Sequence, residues 1–444
     1  MRNFFVRLFN NNNMLSLMGS GSIAVLGFIN FAILARQLSI DDFGSWIIFV
    51  SACSFFEMLR TGFLHTPLIK YLTGQGKQTS KEIIGSSWAF GWFITGTIIV
   101  ITLALFFLLG DVAPNRGFYM FLQWIWLVNL LSLPFNFATW YLQSELKFGK
   151  ILYIRLMSQG GFLILLLVNF YLKNELTYIL YSYLLANFIT SIICIWSGWT
   201  LITSIKRASK QRMKELFHFG KYSMGTMIGS NLLRTSDTLI IGSLMGPTAV
   251  AFYSVPLRLF EIIEVPLRSL VATALPTLSR LNNAGDKIGL KKFFEKATGE
   301  LTIILLPFML ICFVFAEPLV MLLGGKEYIG SANILRIFTL YACFMPLDRF
   351  TGVTLDVMNV PVRNFQKVMI MLAINIGGDL LAIEYVGEVW AVAIGSILTF
   401  LTGVVFGSIF LKKMLDFSIK DILSDGYNGI MGYASSVLKR LYKA

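Results

Sequence analysis

Residues Ile83 to Leu109 read Ile-Ile-Gly-Ser-Ser-Trp-Ala-Phe-Gly-Trp-Phe-Ile-Thr-Gly-Thr-Ile-Ile-Val-Ile-Thr-Leu-Ala-Leu-Phe-Phe-Leu-Leu, twenty-seven residues without one Asp, Glu, Lys, Arg or His. A helix rises about 1.5 Å per residue, so about 20 apolar residues cross the hydrocarbon layer of a bilayer. This stretch is long enough to do so. Working outward from it, apolar runs between polar turns predict twelve spans: 14–36, 44–66, 83–109, 117–142, 150–171, 177–202, 219–245, 249–275, 297–320, 329–355, 364–385 and 388–411.

The composition agrees. Of 444 residues, 56% are hydrophobic and 14% charged, against about 25% charged in ordinary soluble domains. A mean hydropathy of +0.71 leaves no room for a large soluble domain. The fold class expected is an all-α integral membrane protein. Cys53, Cys194, Cys312 and Cys343 lie far apart inside apolar runs, and His65 and His218 are the only histidines. Neither a disulfide framework nor a metal site is indicated, and no cofactor is expected. The head of the chain leads into the first span without a small-residue cleavage site, so it is expected to be an uncleaved anchor.

The formal charge of +13 follows the loops. With the N-terminus in the cytoplasm and alternating spans, cytoplasmic segments hold 25 Lys and Arg. The outer loops hold four, Arg36, Arg116, Lys173 and Lys326. This is the bias of the positive-inside rule, and it predicts both termini in the cytoplasm, facing anionic membrane lipid. No nucleic-acid motif is present. The basic loop around Lys206, Arg207, Lys210 and Arg212 falls at the midpoint. It divides the chain into a lobe at 1–202, a linker at 203–218, a lobe at 219–411 and a tail at 412–444. Leu38-Ser-Ile-Asp-Asp-Phe-Gly-Ser-Trp46 is similar to Met245-Gly-Pro-Thr-Ala-Val-Ala-Phe-Tyr253, a register that pairs Glu57 with Glu264. Two parallel six-helix lobes around a central cavity are expected. In the tail, Ile419, Ile422, Tyr427, Ile430 and Val437 predict an amphipathic segment lying on the inner leaflet.

Ionisable residues inside apolar spans carry the functional reading. Each costs about 2.5–3.5 kcal/mol near a bilayer centre, so such groups face each other or water. On the basic side are Arg60, Arg234, Arg258, Arg268, Arg336 and Arg349. On the acidic side are Glu57, Asp237, Glu261, Glu264, Asp348 and Asp379. Intrahelical pairing for stability is one reading, since Glu57/Arg60 and Arg234/Asp237 are three apart and Arg258, Glu261, Glu264 and Arg268 share a face. The other is a polar path for an anion. All six deep cations are arginine, whose planar fork suits phosphate oxygens and keeps its charge when buried. Pro256, Pro266 and Pro276 interrupt the eighth span as hinges or static bends. The chain carries no nucleotide-binding P-loop, and Asp41 and Asp42 sit on an outer loop too short to fold over a sugar. No enzymatic activity is expected.

Asn30-Phe-Ala-Ile-Leu-Ala-Arg-Gln-Leu38 with Asp42-Phe-Gly44 resembles the first-helix exit of polysaccharide and oligosaccharide flippases, within the multidrug/oligosaccharidyl-lipid/polysaccharide (MOP) exporter superfamily. Asp237-Thr-Leu-Ile-Ile-Gly242 with Met245-Gly-Pro247, Val250 and Tyr253 resembles their second-half pattern, with Ala251 in place of the usual glycine. Pro276 to Leu278 and Leu323-Gly-Gly-Lys-Glu-Tyr328 are similar to later landmarks. The resemblance implies a twelve-helix flippase of the bacterial inner membrane. It would carry undecaprenyl-pyrophosphate-linked oligosaccharide to the outer leaflet by alternating access, for O-antigen, capsule or exopolysaccharide synthesis. It implies that Arg60, Arg234 and Arg258 meet the pyrophosphate; Arg268, Arg336 and Arg349 are further candidates from their depth in apolar spans. Glu57, Asp237, Glu261 and Glu264 would carry a coupling Na+ or H+ or balance charge, and other polysaccharide-assembly proteins would be partners. A multidrug or organic-ion antiporter, a polymerase and a membrane scaffold are the alternatives. Lipid II flippases of the superfamily usually have two further helices, for which this chain has no candidates.

Overall fold

A computed structural model describes residues 12–72, 76–172 and 175–441 of the chain. Arg2, Arg7 and the last three residues lie outside them. Among the described residues there is no strand. Each expected span is occupied by a helix: α1 Asn12–Gln37, α2 Ile40–Leu72, α3 Lys77–Leu109, α4 Arg116–Ser144, α5 Phe148–Leu172 and α6 Leu176–Trp196. They continue as α7 Lys210–Leu244, α8 Pro247–Asn283 and α9 Lys287–Val314, extended by Ala316–Gly324. Then come α10, made of Ala332–Ala342 and Met345–Val357, and α11 Pro361–Tyr385, α12 Val389–Lys412 and α13 Ile419–Leu441.

The helices are not equally apolar. Eight are long and apolar enough to cross a membrane, and α10 makes a ninth if its two pieces, bent by 45°, count as one span. α1 contributes a shorter apolar stretch, Gly21–Gln37. The long helices α7 and α8 miss this threshold and carry half of the deep charges: Arg234 and Asp237, then Arg258, Glu261, Glu264 and Arg268. The twelve-helix reading holds as helices, while these two depend on neighbours for burial. The chain is an all-α multi-pass membrane protein.

The chain forms two compact units, 1–251 and 252–444. In the first, α2 packs against both α4 and α7. Its contact with α7 is a seam of glycines where backbones come within van der Waals distance. A Cβ on Gly62 would lie 2.7 Å from Met224 Cα, and one on Gly220 would lie 2.7 Å from Phe63 O. Trp88 of α3 stacks on Phe137 of α4 at 4.2 Å and donates from Nε1 to Thr200 O at 2.7 Å. That bond, with Ser209 N donating to Ser86 Oγ at 2.9 Å, fastens the connection between α6 and α7 along α3. In α5 the turn Leu156–Gly160 widens to a π-bulge, where Asn30 Nδ2 donates to Gln159 O at 3.2 Å.

In the second unit, Tyr341 of α10 stacks on Phe400 of α12 at 4.7 Å. Phe260 and Phe338 complete an aromatic layer around it. The helix expected in the tail is present, and α13 packs on α9.

Candidate functional site

The three-residue spacing of Glu57 and Arg60 brings them together on α2. Arg60 has no exposed surface. Its Nη1 donates to Asn129 O at 2.7 Å, and its Nη2 donates to Ser132 Oγ at 2.7 Å and to Glu57 Oε1 at 3.2 Å. Both non-acidic partners stand on α4, so Arg60 ties two helices together. The same Glu57 oxygen accepts from Asn136 Nδ2. Glu57 keeps 30% of its side chain exposed. At this pair the group that meets the surroundings is the acid, not the expected arginine.

On α7 the order reverses: Arg234 is exposed and Asp237 is 9% exposed. On α8 the predicted common face resolves into two intrahelical pairs. Arg258 Nη1 lies 2.5 Å from Glu261 Oε2, each side chain about a quarter exposed. Arg268 pairs with Glu264 and remains 53% exposed. Arg336 is held by Glu317 at 2.8 Å and by Asn333 Oδ1 at 2.6 Å, both on the partly exposed edge where α9 gives way to α10. Arg349 is exposed on α10. Each expected arginine except Arg60 thus retains accessible surface.

One expectation is overturned. Lys367, counted by sequence among the cytoplasmic lysines, is 3% exposed inside the second unit, so the deep cations are not all arginine. Its Nζ donates to Asp348 Oδ1 at 2.8 Å and to Asp348 O at 2.9 Å. Gly352, Gly403 and Gly407 surround the pair. A Cβ on Gly403 would sit 2.5 Å from Asp348 Oδ1, and one on Gly352 would sit 3.2 Å from Lys367 Nζ. Two turns along α11, Asn375 Nδ2 donates to the fully buried Asp379 at 3.3 Å, and Thr399 Oγ1 donates to Asn375 Oδ1 at 3.1 Å. Sequence places Lys367 one turn inside the expected span 364–385 but does not name Asp348 as its partner.

Among the described residues no three His, Cys, Asp or Glu stand together as a metal site would require. What the units offer is a set of accessible arginines, of which Arg258, Arg268 and Arg336 are held by carboxylates. Such an arrangement can bind a multivalent anion at one guanidinium after another without leaving any buried charge unpaired.

Comparison with known proteins bears on the fold and the family. The chain is 21% identical over 403 residues to a protein described as the probable low-salt glycan biosynthesis flippase Agl15 of Haloferax volcanii, covering 88% of this chain and 81% of that one. It is 21% identical over 340 residues to the teichuronic acid biosynthesis protein TuaB of Bacillus subtilis, covering 74% and 68%. Among solved structures, the lipid II flippase MurJ in an inward closed conformation matches 96% of this chain and 93% of its own, with a TM-score of 0.73 and 14% identity. An inward-facing multidrug-resistance MATE transporter of the MOP superfamily matches 88% and 96%, also at 0.73 and 14%. These likenesses establish the fold as that of MOP transporters, as the sequence resemblance implied. The pattern of one family extends over residues 33–333, and the chain belongs to that family, the polysaccharide biosynthesis proteins.

Proposed function

We propose that the protein is a flippase for a lipid-linked glycan, carrying undecaprenyl-pyrophosphate-linked oligosaccharide from the cytoplasmic to the outer leaflet of a bacterial inner membrane for surface polysaccharide synthesis. No bond is made or broken in this reading. The observation that carries it is the family match together with arginines that stay accessible while paired to carboxylates. A pyrophosphate exchanges places with a carboxylate on a guanidinium fork, because both present two oxygens to it. Arg234, Arg258 and Arg268 are the groups assigned to the pyrophosphate, with Arg336 and Arg349 as outlying contacts. Arg60 serves as a positioning residue that holds Glu57. Glu57, Asp237, Glu261 and Glu264 balance the arginines when no substrate is bound, and one of them carries the coupling ion, H+ or Na+. The lysine- and arginine-rich side is cytoplasmic, with both termini there.

The test is reconstitution. In vesicles carrying fluorescent undecaprenyl-pyrophosphate oligosaccharide, the protein is expected to speed movement of the label between leaflets, and Arg258→Ala is expected to remove that effect. Export of a cationic dye without any lipid movement would overturn the proposal in favour of an organic-ion antiporter.

A further inference from the structure

The tail helix α13 is amphipathic in an unusual proportion. At about 100° per residue, its apolar arc covers roughly half the helix circumference, and only part of that arc is covered by protein. The covered part holds Ile422, Gly426 and Gly429. A Cβ on Gly426 would lie 2.3 Å from the backbone of Gly299 on α9, and one on Gly299 would lie 1.9 Å from Ile422 O. Before the helix begins, Phe417 is buried against Phe294 at 5.0 Å, and Ser418 N donates to Glu295 Oε1 at 3.2 Å. The helix is bolted to α9 along its first turns.

The uncovered part is the adjoining stripe Ile419, Leu423, Tyr427 and Met431, exposed by 56%, 49%, 56% and 52%. Beyond it come Ser424 and Asn428, both exposed and polar. Three observations say what lies against the stripe. α13 follows the membrane-crossing α12 after a turn of only six residues, 413–418, so it starts at the end of a span. It docks at 295–300 of α9, where the charged stretch Lys287 to Glu300 gives way to the apolar run beginning at Leu301. That change of polarity marks the boundary of the hydrocarbon layer. Exposed Lys412, Lys413 and Lys420 flank the entry to the stripe, a charge complement to anionic headgroups.

We infer that α13 is an interfacial helix, its Ile419–Leu423–Tyr427–Met431 stripe sunk into the acyl chains of the adjacent leaflet while Lys412, Lys413 and Lys420 hold anionic lipid phosphates. Its glycine contact with α9 makes it a strut that fixes the second unit against the membrane surface. The stripe supplies the apolar area and the lysines supply the preference for negatively charged lipid, the two terms by which surface helices bind. The inference rests on the membrane-spanning fold and not on the flippase reading.

Single spin labels test it, in protein with Cys53, Cys194, Cys312 and Cys343 changed to Ala and reconstituted in bilayers of phosphatidylglycerol and phosphatidylcholine. Labels at Leu423→Cys and Tyr427→Cys are expected to favour oxygen over a water-soluble nickel chelate several-fold more than labels at Ser424→Cys and Asn428→Cys. In phosphatidylcholine alone, or with Lys412, Lys413 and Lys420 changed to Gln, the contrast is expected to shrink. Nickel access at all four positions would overturn the inference by placing the stripe in water. Exclusion of both reagents at 423 and 427, with spin–spin broadening, would overturn it in favour of a second copy of the chain. A contrast indifferent to headgroup charge would overturn the lysine assignment. None of these readouts involves transport, so a failed flippase assay leaves them unaffected.

Discussion

Nζ of Lys367 stands 2.8 Å from Oδ1 of Asp348 and 2.9 Å from the carbonyl oxygen of the same residue, with both side chains 5% exposed or less. Thr351 Oγ1 donates to that carbonyl as well, at 2.9 Å. The pair joins α10 to α11, and the bare Gly403 and Gly407 of α12 leave room for it. Its energetics follow from burial. Removing one partner strands the other charge in an apolar interior, at about 3–5 kcal/mol, whereas replacing both by apolar side chains of similar size is often neutral. Lys367→Met and Asp348→Leu are each expected to lower the thermal unfolding temperature in detergent sharply, and the double variant to recover most of the loss. A double variant as unstable as the singles would show that the bond from Lys367 to the Asp348 carbonyl, not the ion pair, holds the helices.

The two arginine classes are expected to fail differently. Arg60→Ala leaves Glu57, Asn129 O and Ser132 without their buried donor, and hydrogen bonds to charged groups are worth about 1.5–3 kcal/mol each. It is expected to unfold at lower temperature and to accumulate poorly in membranes. Arg258→Ala removes a partly exposed intrahelical pair, which contributes little to stability. It is expected to fold normally and to lose lipid transport at least tenfold, with Arg258→Lys recovering only part because a point charge lacks the fork. Equal stability losses in both would make Arg258 structural.

Glu57 separates the roles of counter-ion and coupling group. Gln at this position keeps an oxygen for Asn136 and Arg60 but cannot hold a charge or exchange a proton. Glu57→Gln is expected to bind substrate and to lose the response of transport to an imposed proton or sodium gradient. If the variant responds as the wild type does, the acid only balances Arg60.

Much of this was legible before any coordinates. Span positions follow from uninterrupted apolar length, and the Glu57–Arg60, Arg258–Glu261 and Glu264–Arg268 pairs follow from helical spacing, since three- and four-residue neighbours face each other. Contacts between distant segments were not. Nothing local to Lys367 announces that Asp348, nineteen residues earlier, points at it, and a lysine near a span end is ordinarily solvated. Arg336 finds Glu317 only because the chain turns at Gly325, which holds φ at 102°. Burial of Arg60 depends on which face of α4 turns toward α2, a matter of packing that one helix's periodicity does not contain. The packing of α7 against α2 was equally hidden. It is built from glycines, which carry no hydropathy signal of their own.

That glycine seam yields the last prediction. Along α2 and α7, Gly62 and Gly220 permit backbone contact. At the far end of α2, a Cβ on Gly44 would lie 1.8 Å from Pro247 O, at the start of α8. Gly242 faces Ile48, where a Cβ would come within 2.9 Å of the side chain. At Gly44 the obstacle is backbone and cannot rotate away. At Gly242 it is a side chain with some freedom. Overpacking costs typically 1–3 kcal/mol, and more where nothing can yield. Gly44→Ala and Gly62→Ala are therefore expected to destabilise the protein more than Gly242→Ala. Gly96 of α3 has nothing within 4 Å of a built Cβ, and alanine there removes only backbone freedom, so Gly96→Ala is expected to be neutral or slightly stabilising. Thermal unfolding of the four variants in one detergent ranks them directly. If Gly44→Ala and Gly96→Ala unfold at the same temperature, the helices are not in contact at Gly44, and the packing of α2 in the first unit must be redrawn.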